Sequence, residues 1–202
     1  QMIKIGITGS IASGKTTASE ILSYKRGPLF SADDEIKKFY RNKDFKKYLV
    51  KKFNIKKNLN FKQIIKMKIF ENKRNIKILE KIVHPMVRKE MHKFSKKHKK
   101  KNKLFYEIPL LIEKKLMKYF DIVIFIKVKK KIRLKRFTAN GGDKNLFNLL
   151  NKRQLSDRRK IKFSDHVVNN EKNLIILKRK LLSIIKVYEW GFFRYRDNRP
   201  VI

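Results

Sequence analysis

The chain's 202 residues give room for one α/β domain with a helical insertion and too little for two independent domains. It has no cysteine, which excludes disulfides and thiolate metal sites; with no apolar run of about eighteen residues and no charged-then-apolar leader, it predicts neither a membrane span nor a secretory signal, and so a cytoplasmic protein. The formal charge of +38, from 55 Lys plus Arg against 17 Asp plus Glu, ordinarily suggests a polyanionic partner, but the lysines travel with Asn, Ile and Phe, as an A- and T-rich genome alone would produce, so only non-specific adhesion to nucleic acid at low salt is expected.

In chain order, residues 2–8 read as a short strand with Ile3, Ile5 and Ile7 alternating, and residues 16–22 as a helix turning Ala18, Ile21 and Leu22 to a core. Between them Gly9-Ser10-Ile11-Ala12-Ser13-Gly14-Lys15-Thr16 fits the phosphate-binding pattern G-x-x-x-x-G-K-[S/T]. A second strand at 28–31 ends at Ala32-Asp33-Asp34. From 35 to about 101 the pattern is helical, with Phe61, Ile64, Ile65, Lys68, Ile76, Leu79, Val83 and Val87 at three- and four-residue spacings. That stretch predicts a helical insertion between two strands, ending in a solvated lysine run at 96–103.

Residues 104–108 predict the next strand, closed by Pro109, and 121–128 form the near-continuous apolar run of a buried parallel strand. The basic stretch 129–165, broken at Asn140-Gly141-Gly142-Asp143, carries Arg133, Arg136 and Arg153 on helical arms, the form of a lid. A weaker strand at 166–168 and a helix at 173–187 follow. An aromatic tail with Trp190, Phe192 and Phe193 is expected to dock on the core or on a neighbouring chain. Strands alternating with helices predict a parallel sheet covered on both faces.

The chemistry of the glycine-bearing loop is specific. Its turn can aim successive backbone N–H groups at a triphosphate, and the helix that follows adds its positive dipole end. Lys15 would neutralise the β and γ phosphates, and the Thr16 hydroxyl is the expected Mg²⁺ ligand. Gly14 lets backbone approach phosphate closely. No N-K-x-D-type guanine reader follows, which disfavours a GTPase. Phosphorylating an alcohol calls for a carboxylate that accepts the hydroxyl proton; Asp33 and Asp34 past the second strand, or Glu107 at the end of the third, could supply it, and capping of the next helix is the competing role for the Asp pair.

The spaced motifs resemble the dephospho-CoA kinase family over nearly the whole chain. The stretch from Gly6 to Thr17 is similar to that family's opening. Ala32-Asp33 resembles part of its D-A-D segment, His84-Pro85-Met86-Val87-Arg88 its H-P-x-[I/V]-R, and Pro109-Leu110-Leu111-Ile112-Glu113 its P-L-L-[F/Y]-E. Arg133-Leu134, Gln154, Lys160 and Ser164 to Asn170 follow later family elements in order. No HExxH or similar arrangement joins the four His residues, so no metal beyond the Mg²⁺ that accompanies ATP is expected.

The resemblance implies an α/β, P-loop kinase-type parallel sheet flanked by helices, in a three-part build. Residues 2–34, 103–128 and 164–187 would form the nucleotide core, 35–102 the helical substrate insertion, and 129–163 the lid, with 188–202 as the tail. It implies ATP-dependent phosphorylation of the ribose 3′-hydroxyl of dephospho-CoA. Asp33 would be the base. ATP would meet Gly9, Ile11, Ala12, Ser13, Gly14, Lys15, Thr16 and Thr17, with Asn170 near the adenine end. His84 and Arg88 would belong to the substrate region, and Pro109, Leu110 and Leu111 would line the cleft near the acceptor. This chain departs from the pattern at Ser10 and Ala12, which replace glycines, at Ser31, which replaces the first Asp of D-A-D, and at Glu107, where Asp is usual. Leu150 stands where the family commonly has Arg; the lid arginine for the γ phosphate is then Arg136 first and Arg153 next.

Overall fold

A computed structural model describes residues 2–54 and 72–188. The helical expectation at Phe61, Ile64, Ile65 and Lys68 and the tail from 189 onward lie outside the described residues. Contacts divide the chain into two units, Gln1–Ser31 with His98–Ile202, and Ala32–Lys97.

The first unit is built on a five-stranded sheet. Strands β1 (Ile3–Gly9), β2 (Leu29–Ser31), β3 (Lys103–Glu107), β4 (Ile122–Lys127) and β5 (His166–Asn169) run parallel in the order β2-β3-β1-β4-β5. β4 is apolar without alternation because the sheet buries both its faces: Ile122, Val123, Ile124, Phe125 and Ile126 are all fully buried. Helices α1 (Lys15–Ser23) and α8 (Leu174–Val187) pack Ala18, Leu22, Leu177, Leu181 and Ile185 onto Ile5, Ile7 and Ile124 in one core.

The strand order sets the place of the site. From β1 the chain crosses to β2 on one side, returns to fill the gap with β3, and then passes β1 to β4 on the other side. The carboxyl end of β1 is therefore the point where connections diverge, the position at which open parallel sheets bind ligands. After β4 come α5 (Lys130–Ala139), α6 (Lys144–Lys152) and α7 (Asp157–Lys162), so the stretch expected as two arms is three short helices. Asp143 and Ser156 explain the breaks, since their side chains accept from the N–H of Leu146 and Arg159 and start α6 and α7. Residues 129–163, expected as a lid, fall within the first unit.

The described residues of the second unit form α2 (Ala32–Arg41), α3 (Lys43–Lys52) and α4 (Lys73–Lys97). Phe45, Leu49, Phe53 and Val83 form its buried centre, ringed by Ile36, Phe39, Leu79, Met86 and Val87. Its surface pairs, Lys37 with Asp34 and Lys38 with Glu35, are one helical turn apart and largely exposed on the lysine side. Helix α2 begins at Ala32, earlier than the expected start at 35. Three successive acids, Asp33, Asp34 and Glu35, occupy its first turn, where negative charge meets the positive end of the helix dipole. Among the described residues no helix is long and apolar enough to cross a membrane.

Candidate active site

The loop from Ser10 to Gly14 turns β1 directly into α1. Ser13 N–H bonds back to the Ser10 carbonyl at 3.1 Å, and Gly14 takes up φ 82° as the residue before the helix. A side chain there would be strained, and its Cβ would sit 2.5 Å from Asn170 Nδ2; both facts require glycine. Ala12 is also left-handed at φ 58°, a conformation that costs a non-glycine residue about 1 kcal/mol or more.

Helix α1 has no side-chain cap. Helices α3, α6, α7 and α8 each begin with an Asn, Asp or Ser whose oxygen accepts an N–H of the first turn. At α1 the first-turn N–H groups of Lys15, Thr16 and Thr17 are left for another acceptor, and the dipole favours an anion. A capping acid would compete with phosphate for the same groups.

Thr16 Oγ1 donates to Glu107 Oε1 at 2.6 Å. Glu107 is 1% exposed at the carboxyl end of β3, in register with Ile7 of β1 and Ser31 of β2. Because the hydroxyl proton goes to the carboxylate, the lone pairs of Thr16 remain for a hard cation, and an all-oxygen donor set fits magnesium. Among the described residues no group of three or more His, Cys, Asp or Glu could hold a metal ion.

Asn170 and the arginines sort into distinct positions. Asn170 follows β5, is 7% exposed, and donates from Nδ2 to the Ser13 carbonyl at 2.9 Å, so it braces the loop beside Gly14. Arg136 on α5 donates to the Asn170 carbonyl at 3.0 Å, and its Nη1 would lie 3.9 Å from a Cβ at Gly14. It thus reaches the loop exit while remaining partly exposed. Arg133 does not. It is 5% exposed, donates to Val128 O, Ile11 O and Asn151 Oδ1, and lies over the Phe147 ring. Burial pulls its guanidinium below the ordinary arginine range, against the opposing charge of Asp157. Arg153 closes α6 as its C-terminal cap residue.

Of the first-unit residues expected near the acceptor, Pro109 offers its carbonyl to Thr8 Oγ1 at 3.2 Å and Leu110 is half-buried. Leu111 is fully buried, with Cδ1 2.6 Å from where a Cβ on Gly6 would stand. Its side chain is a core contact of β1. In the second unit Asp33 is exposed in the first turn of α2, while Asp34 is held by Lys37 at 2.7 Å. His84 and Arg88 lie on α4 one turn apart, on one helix face.

Ser10, which stands in place of a glycine of the family pattern, is 3% exposed and bonded on two sides. Its partners Asp157 and Lys160, with Glu113, form a buried polar cluster whose side-chain arrangement no sequence pattern announced.

A parallel sheet that divides at β1, a phosphate loop feeding an uncapped helix, and a hydroxyl–carboxylate pair beside it define a P-loop kinase. Residues 3–175 match the family model described as dephospho-CoA kinase. The chain is 32% identical over 189 residues to the dephospho-CoA kinase of Rickettsia typhi, covering 93% of this chain and 98% of that one; it belongs to the dephospho-CoA kinase family. The solved dephospho-CoA kinase from Campylobacter jejuni aligns at 26% identity and a TM-score of 0.68, covering 94% of this chain and 98% of that one. A shikimate kinase from Bacteroides thetaiotaomicron, 12% identical with a TM-score of 0.57 over 94% of this chain and 99% of that one, shares the fold alone.

Proposed function

We propose that this chain transfers the γ-phosphoryl group of ATP to the ribose 3′-hydroxyl of dephospho-CoA, giving CoA and ADP, the closing step of coenzyme A synthesis. Family membership over residues 3–175 carries the substrate class, and the uncapped α1 behind Gly14 supports the phosphate-binding half of the reaction.

The residues divide the work. Backbone N–H groups of Ala12, Gly14, Lys15, Thr16 and Thr17 form the cradle, and Lys15 neutralises the transferring group. Gly9, Ile11 and Ser13 shape the turn that carries them, with the Ile11 and Ser13 N–H groups given to Gln154 and Ser10. Arg136 adds a second cation at the loop exit. Asn170 keeps Ser13 and Gly14 in place at the nucleotide end. Asp33, whose neighbour Asp34 is already paired with Lys37, accepts the proton of the attacking hydroxyl. His84 and Arg88 are the acceptor contacts of the second unit, Pro109 and Leu110 those of the first, and Leu111 supports Leu110 from the core of β1. Magnesium, when bound at Thr16 and Glu107, would draw charge from the phosphate oxygens. Positioning and charge stabilisation suffice for such a transfer, without a covalent intermediate.

A cytoplasmic enzyme acting on small molecules, with neither nucleic acid nor membrane as a specific partner, completes the reading. ADP release measured across a panel of acceptors tests it: dephospho-CoA should support turnover, while shikimate, deoxyadenosine and nucleic acid should not. Turnover with one of those others and none with dephospho-CoA would overturn it.

A further inference from the structure

Lys160 of α7 is fully buried, so it touches no substrate, yet it reaches the phosphate loop. Its Nζ lies 2.8 Å from Glu113 Oε1 and 3.4 Å from Ser10 Oγ. Glu113 Oε1 also accepts the N–H of Leu155 at 3.0 Å, and the Ser10 hydroxyl donates to Asp157 Oδ1 at 3.1 Å. The same outer side of the loop is gripped once more at Ile11, whose N–H is taken by Gln154 Oε1 at 2.9 Å and whose carbonyl accepts from Arg133 at 3.4 Å. Every one of these partners except Glu113 and Arg133 comes from residues 154–160.

A buried ammonium is an expensive way to hold a core together. Removing each charge from water costs several kcal/mol, and an apolar pair of similar volume is often as stable or more so. Burial pulls the Lys160 ammonium below its ordinary value, the nearby Arg133 adds to that, and Glu113 and Asp157 oppose it. What an ion pair supplies and a packed methionine does not is direction: one ammonium orients the Ser10 hydroxyl while its carboxylate partner orients Leu155, next to the Gln154 that fixes Ile11.

We propose that the Lys160–Glu113 pair is a positioning device for nucleotide binding, which holds the Ser10–Ile11 side of the phosphate loop so that the inward N–H groups keep the spacing a triphosphate requires. The proposal rests on the kinase reading only for its loop ligand, ATP, and not for the acceptor. Ser10 is the link, and it stands where relatives of this chain are expected to carry glycine.

The test measures ATP binding by calorimetry without any acceptor, alongside melting temperature. In the double variant Lys160→Met/Glu113→Leu both charges go and volume is kept. It should melt close to or above the wild type, yet bind ATP about tenfold more weakly, since small displacements of a positioned group are costly. The KM for dephospho-CoA should stay near the wild-type value. Wild-type ATP affinity in that variant would assign the pair a structural role alone and overturn the proposal. If the double variant fails to fold, Ser10→Ala decides, because it leaves the buried pair intact and removes the hydroxyl through which Lys160 and Asp157 hold the loop. A loss of about threefold in ATP affinity, smaller because one of several loop contacts is removed, is expected there, and an unchanged affinity overturns the proposal. A wild-type protein that binds ATP but leaves dephospho-CoA untouched would sink the substrate assignment and not this one.

Discussion

Around the phosphate loop the contacts that fix the chain are polar, directional and buried or half-buried: Lys160 to Glu113, Gln154 to Ile11, Asn170 to Ser13, Thr16 to Glu107. In the helical unit Ala32–Lys97 the interior is Phe45, Leu49, Phe53 and Val83, and the ion pairs lie at its surface. The difference follows from what each region must do. Apolar burial is strong and non-directional, sufficient to make helices adhere. A loop that presents N–H groups to phosphate needs its backbone fixed to within fractions of an ångström, which only hydrogen-bonded side chains specify.

The comparison breaks most sharply at Lys15. Lys15→Met should lower kcat by about a hundredfold to a thousandfold, the usual loss for one charge-stabilising donor, with the melting temperature unchanged. A parallel loss of stability would mean that the lysine serves the fold. In the helical unit the expectation reverses: Leu49→Ala, at a fully buried site, should cost about 2–5 kcal/mol of stability in urea titration. ATP affinity of the folded protein should hold.

A smaller effect is expected at His166 of β5, whose ring bonds the Tyr188 hydroxyl and stacks edge-on against that ring. Burial holds its pKa below the ordinary 6.5, more than Asp165 raises it. The folded state then binds fewer protons than the unfolded one as pH falls below 6.5, so stability present above that value is lost toward the lower folded value. Denaturant titrations across that window should show the loss, and His166→Gln should flatten it. Smallest of all, Lys37→Ala should shift stability by less than about 1 kcal/mol, because its pair with Asp34 is exposed; a larger loss would show that surface charge, and not the apolar cluster, holds the second unit.

Legibility in the sequence follows the same division. Alternating Ile3, Ile5 and Ile7 and the unbroken run in β4 announced the central strands, because burial on a sheet is written in residue spacing. The loop from Gly9 to Thr16 announced itself through residue types that one backbone geometry requires. The start of α2 came earlier than expected, since Asp33 and Asp34 read equally well as strand end, catalytic pair or first helical turn. The Lys160 cluster was hidden for a different reason. In a chain with 55 basic residues one buried lysine, flanked by Arg158 and Arg159, carries no mark of its burial. Its partners Glu113 and Ser10 are far away in sequence, and only the fold of α7 against the loop brings them together.

The central claim is that ATP held on this loop loses its γ-phosphoryl group to an acceptor hydroxyl deprotonated by Asp33. Single-turnover phosphorylation of dephospho-CoA by Asp33→Asn, with ATP affinity measured on the same preparation, tests it most directly. The account predicts wild-type ATP affinity and a rate lower by about a hundredfold or more, the size of a general-base contribution. Wild-type turnover in that variant would contradict it.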